Sequence, residues 1–131
     1  LPRPSVESFP DADALVIHFL NLSAAVSAPV MATLPLEITS TVVRVTRIGG
    51  ANRDIRVDRP LVDVDVFSPT REQAMDVARA CQNELLFTLR GTTTPDGTVQ
   101  HVTTTIGPHW LPDINPNLVR VSATYELHVH A

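Results

Sequence analysis

His128 and His130 occupy alternate positions of a strand-like run, so their imidazoles leave the same face about 7 Å apart, a spacing at which two histidines can share a metal ion. A metal site needs three or four ligands, and only His101, His109 or an acid from elsewhere in the chain could complete this one. Asp63 and Asp65 form an Asp-x-Asp pair of the kind that holds divalent cations in some hydrolases and transferases. Here Val62, Val64 and Val66 account for the spacing, because period-two alternation throws every second residue onto one face and creates such pairs by itself. There is no Gly-x-Ser-x-Gly elbow, no cysteine with a catalytic histidine motif and no glycine loop long enough to cradle phosphates; Gly49-Gly50 reads as a hairpin turn. Cys81 stands alone in a stretch of helical period and reads as a small buried hydrophobe. The expectation is a chain without catalytic residues, metal or cofactor; a small metal-dependent enzyme built on His128, His130, Asp63 and Asp65 is the alternative from a different class.

Charge density points elsewhere. Residues 49–59 carry Arg53, Asp54, Arg56, Asp58 and Arg59, and mixed charges this close together suit a polar contact between identical subunits. Arg44 and Arg47 on the preceding run, with Asp63 and Asp65 on the following one, extend that candidate contact surface. Trp110, between Pro108 and Pro112, is a candidate anchor, since tryptophan is enriched where interfaces are strongest.

The elements that must position these groups follow from length and periodicity. A chain of 131 residues is expected to form one domain with one moderate core. A net charge of −4 with no polybasic stretch argues against sequence-independent binding of nucleic acid, which needs clustered cations to displace counterions. No apolar run approaches the roughly 20 residues that span a bilayer, and Leu1-Pro2-Arg3-Pro4 lacks the apolar core of a secretory signal, so no membrane association is expected and synthesis in the cytoplasm is.

Asp11 is placed to cap a helix over residues 12–22, where Leu15, Phe19 and Leu22 recur at helical spacing. Residues 27–35, with two prolines, suit an extended connection and not a regular element. A strand is predicted over residues 37–48, broken by Gly49-Gly50, and a second from Pro60 through the three valines, the two forming a hairpin. If Val43 and Val45 share the core face with those valines, Arg44 falls opposite Asp63 and Asp65, where charge pairing across strands contributes roughly 0.2–1 kcal/mol. Ser68-Pro69-Thr70 opens a second helix whose stripe is Ala74, Val77, Ala78, Cys81, Leu85 and Leu86, ending near Arg90-Gly91. After a turn at residues 94–97 a strand is expected over residues 98–106, then an irregular surface loop over residues 107–117, then a long strand from Val119 to His130. That order implies an α+β domain: a largely antiparallel sheet of four to five strands with two helices packed on one face.

These residues also resemble a family. Phe9-Pro10-Asp11 opening a helix, Val43-Arg44-Val45 through Ile48-Gly49-Gly50, Asp58-Arg59-Pro60 entering the valine strand, the alanine-rich helix after Ser68, Gly107-Pro108-His109-Trp110 and the closing run 120–130 are together similar to tail terminators of long-tailed phages of actinobacteria. The order and spacing carry the likeness. What the resemblance implies is a virion protein of the lambda-type tail terminator fold, assembled in the host cytoplasm and located at the tail neck. It would form a ring, six-membered in lambda-type relatives, on the last turn of tail-tube protein, stop tube growth and give the head a docking surface. Its partners would be copies of itself, the major tail tube protein and head-completion or connector proteins, with phage DNA passing through the lumen without specific binding. Such a ring needs heterologous contacts that close on themselves. A neighbouring head-to-tail connector of similar size is the competing assignment within the same class.

Overall fold

The computed structural model describes residues 11–52 and 57–130. Helix α1 (Ala12–Leu22) starts where the Asp11 carboxylate accepts the Ala14 backbone N–H at 3.3 Å, and its buried residues Ala12, Leu15, Val16 and Leu20 form one stripe. Each such aliphatic side chain contributes roughly 1.5–3 kcal/mol when removed from water. The chain then enters β1 (Val30–Met31), β2 (Val42–Asn52) and β3 (Asp58–Ser68). Helix α2 (Arg71–Asn83) carries Ala74, Val77, Ala78 and Cys81 into the core and runs on as a π-helical turn, Glu84–Leu89, which buries Leu85 and Leu89. Gly91, with φ of 79°, turns the chain out of the helix into β4 (Thr92–Thr94), β5 (Gly97–Leu111) and β6 (Val119–His130).

The strands form one sheet in the order β1-β2-β3-β6-β5-β4. β6 is central and paired along most of its length on both sides, with β3 and with β5. Val43 and Val45 lie opposite Val66 and Val64, and these pack with Val121, Ala123, Tyr125, Leu127 and Val129 of β6 beneath the two helices. The α+β class and the helix pair hold. The sheet, however, has six strands and is mixed, because β1 runs parallel to β2.

Four local departures share one cause: pairing partners, not composition, decide where a strand runs. Residues 27–35 are not simply a connection, because the Asn21 side-chain amide donates to the Val30 carbonyl and accepts from the Val30 N–H, both at 2.9 Å, holding β1 beside Val43. β2 begins at Val42 and not near Glu37, since β3 ends at Ser68 and leaves residues 37–41 nothing to pair with. Thr41 is tied instead to the Ser68 hydroxyl at 2.9 Å. Gly49-Gly50 does not end β2. A register shift between Arg47 and Gly49 absorbs the irregularity, and pairing continues to Asn52 opposite Asp58. Residues 107–111 are not an irregular loop either: β5 runs through Gly107 and Pro108 to Leu111 because β6 is long enough to pair with His109, Trp110 and Leu111, and proline is tolerated on an outer strand.

Gly50 is the position where glycine is required. Its φ is 103°, and a Cβ there would stand 2.2 Å from the Arg59 carbonyl oxygen across the hairpin. Gly50→Ala is expected to lower stability by about 1–3 kcal/mol, read as a lower denaturation midpoint with the overall secondary structure retained.

Candidate functional site: the polar face of the sheet

With the valines turned to the helices, the other face of β2, β3 and β6 is left to polar side chains. Asp65 lies at its centre. It is 2% exposed, directly opposite Arg44 on β2 and Ser122 on β6, with Arg120 one diagonal step away. Its Oδ2 accepts from Arg44 Nη2 at 3.0 Å, and its Oδ1 accepts from Arg120 Nη2 at 3.1 Å and from the Ser122 hydroxyl. Burial by itself raises the pKa of this carboxyl, but the Ser122 hydroxyl and the Arg44 and Arg120 guanidiniums outweigh it, and the net effect is to lower it. Phe67, 3% exposed, sits between the same two guanidiniums, whose carbons lie 5.2 Å and 5.6 Å from the ring centre. Asp63, two residues before Asp65, accepts from the Thr124 hydroxyl.

Further along β6, Arg59 donates to the Glu126 carboxylate at 2.9 Å, and His128 is 3.1 Å from the same oxygen. The Arg59 hydrogen bond holds Glu126 below the usual carboxylate range. His101 of β5 meets His128 edge to face with ring centres 5.7 Å apart. This face is an array of matched charges and hydroxyls; among the described residues no group of three or more His, Cys, Asp or Glu side chains could hold a metal ion.

The other predicted contact residues fall in different places. Arg47 opposes Val62, so it turns to the helix side, where it donates two hydrogen bonds to Asp58, which is 1% exposed. Asp58 and Asp65 therefore spend their charge inside the subunit. Arg44 and Arg47 are half-buried, and Arg59 is exposed. Arg53, Asp54 and Arg56 lie outside the described residues. Trp110 pairs with Val121 and lies on the helix side, 39% exposed, with the Arg71 guanidinium 4.5 Å from its ring centre. Cys81 is fully buried, and burial pushes its thiol up to about 12, which removes it as a nucleophile near neutral pH.

Arg120 and Ser122, which complete the Asp65 cluster, were not singled out from the sequence. Their periodicity was visible, but only the register that sets Asp65 opposite Ser122 makes them partners.

A carboxyl whose folded pKa is lowered contributes stability above its unfolded value, near 3.9, that is lost as pH falls through the folded value. Acidification below about pH 4 is therefore expected to destabilise the protein partly through Asp65. Asp65→Asn should lower stability at neutral pH by about 3 kcal/mol, the low end for removing one partner of a buried pair because both guanidiniums still reach water. The same variant should flatten the acid limb of a stability-against-pH curve measured by denaturant unfolding.

No curated protein matches the chain in sequence. A chain from the virion of a native gene transfer agent particle shares the fold with a TM-score of 0.67 at 15% identity, over 92% of this chain and 95% of that one. The profile of the phage tail termination proteins matches residues 8–131. A match over nearly the full sequence settles the assignment, and the chain belongs to the phage tail termination protein family.

Proposed function

We propose that this virion structural protein closes the tail tube: copies join in a ring, six-membered as in lambda-type relatives, on the head-proximal end of the tube, end its growth and present a surface to the head. The observation that carries this reading is the family match over residues 8–131. The polar face supports it by its chemistry. Asp65 accepts from Arg44, Arg120 and Ser122, and Asp63 from Thr124, an arrangement that fixes these side chains on one surface of the subunit.

Partners follow from the same reading. The ring would meet copies of itself on two sides, the major tail tube protein below and head-completion or connector proteins above. DNA would pass through the lumen without specific contacts, consistent with a chain of net charge −4. In this arrangement Arg59, Asp63 and the residues Arg53, Asp54 and Arg56 contribute polar contacts to a neighbour or to the tube. Arg44 and Arg47 are held in place for that purpose by Asp65 and Asp58. Trp110, stiffened by Arg71, is placed to anchor a partner through its exposed part.

Negative-stain electron microscopy of the purified protein is expected to show closed rings, and labelling of particles is expected to place the protein at the head-proximal end of the tail. A monomer at micromolar concentration that is absent from particles would overturn the reading. Reversing Arg53, Arg56 and Arg59 together to glutamate should leave circular dichroism unchanged while reducing capping of purified tubes at least tenfold, measured as tubes that overgrow their normal length.

A further inference from the structure

We infer that the sheet continues from one copy to the next, the outer edge of β5 in one subunit pairing antiparallel with the outer edge of β2 in its neighbour. This rests on the ring reading and adds to it the surface through which the ring closes. β4 pairs with β5 only at Gly97, Thr98 and Val99, and among the described residues no strand lies beyond β5 from Gln100 to Leu111. On the far side of the sheet, β1 covers β2 only at Val43 and Arg44. The Val43 N–H points outward to the Pro29 carbonyl at 2.9 Å, so the alternation of a ladder turns the backbone groups of Val45 and Arg47 outward too; among the described residues no strand receives them, and the Arg47 backbone faces the Asp13 carboxylate.

Unpaired edges are templates for further strands, and proteins that stay single blunt them with charged side chains, especially lysine. β5 has none: no Asp, Glu, Lys or Arg occurs between Gly97 and Leu111. Thr103, Thr104, Thr105 and Ile106 are exposed there; register shifts fall between Val99 and His101, between Thr104 and Ile106 and between Ile106 and His109, which leaves His101 to Thr104 as the regular stretch. Joining this edge to β2 buries no unmatched charge, because Arg47 already donates to Asp58 and to the Gly49 carbonyl.

Three observations select a second copy as the occupant. First, β2, β3, β6 and β5 are successively antiparallel, so β5 and β2 run in opposite directions. Two copies side by side in the same orientation, as a ring requires, therefore bring these edges together as an antiparallel pair. Second, the two edges are different surfaces on opposite sides of one subunit, the heterologous type of contact that closes into a ring. Third, each edge exposes one isoleucine, Ile48 at 52% and Ile106 at 51%. Ile106 lies opposite Thr124 on the polar face, and Ile48 stands at the register shift between Arg47 and Gly49, near the middle of the β2 edge.

The test is disulfide trapping with single-cysteine substitutions. Chains carrying Ile48→Cys are mixed with chains carrying Ile106→Cys, or Thr103→Cys for the neighbouring register on the same face, under mild oxidation. A disulfide needs Cα atoms about 4.4–6.8 Å apart, so covalent dimers are expected in a mixture and not from either variant alone. The double variant Ile48→Cys/Ile106→Cys should give a ladder of covalent multimers that ends at the ring. Ile48→Glu/Ile106→Glu, at two exposed positions, should lose the ring while keeping its circular dichroism. Wild-type rings with no trapping in either register, or trapping of one variant with itself, would overturn this inference and leave the ring standing. A protein that forms no rings would overturn both.

Discussion

Pairing of β6 with two neighbours at once is the constraint on which the rest of this molecule depends. β3 and β5 both take their register from it, and each register assigns a face to every side chain. One set of alternate residues, Val121 to Val129, joins the valines of β2 and β3 under the helices. The other set, Arg120, Ser122, Thr124 and Glu126, meets Asp65, Asp63 and Arg59. A slip of one residue would place carboxylates in the core and valines on the polar face. The two surfaces are therefore a single decision made by backbone hydrogen bonds.

The polar face shows how a protein can concentrate ionisable groups without preparing them for chemistry. Asp65 is buried, as many catalytic carboxyls are, but its lone pairs are occupied by two guanidiniums and a hydroxyl, and its pKa is lowered where a general acid would need it raised. Glu126 is held down in the same way by Arg59. Such a face is stiff, and stiffness is what a subunit needs if it must present side chains to several partners in fixed geometry.

The ends of the sheet complete that picture. β1 and β4 are two and three residues long and cover only the tips of β2 and β5. In a protein working alone this would be an exposure to be managed. In a family whose members terminate phage tails, the proposed continuation of the sheet gives the open edges a use, with self-association as their natural outcome.

Much of this was legible in the chain itself. Helix α1 has the bounds that Asp11 and the helical spacing predict, although Leu22, read into its apolar stripe, is exposed and Val16 and Leu20 carry the burial with Leu15; the stripe from Ala74 to Leu85 and the alternation from Val119 to His130 are equally plain. These are local signals, in which period and capping act within a few residues of one another. The pairing of Arg44 with an aspartate of the next strand was also readable, because a hairpin keeps partners close in sequence. What only tertiary structure decided was non-local. β1 exists because Asn21 holds Val30 beside β2, β5 passes through Gly107 and Pro108 because β6 is there to receive it, and Arg120 reaches Asp65 across 55 positions of sequence. Arg47, which its charge groups with the contact residues, is turned to Asp58 on the helix side, the face that alternation shares with Val43 and Val45. Strand propensity is a property of residues, but a strand is a property of pairs, and the partner is chosen only when the chain has folded.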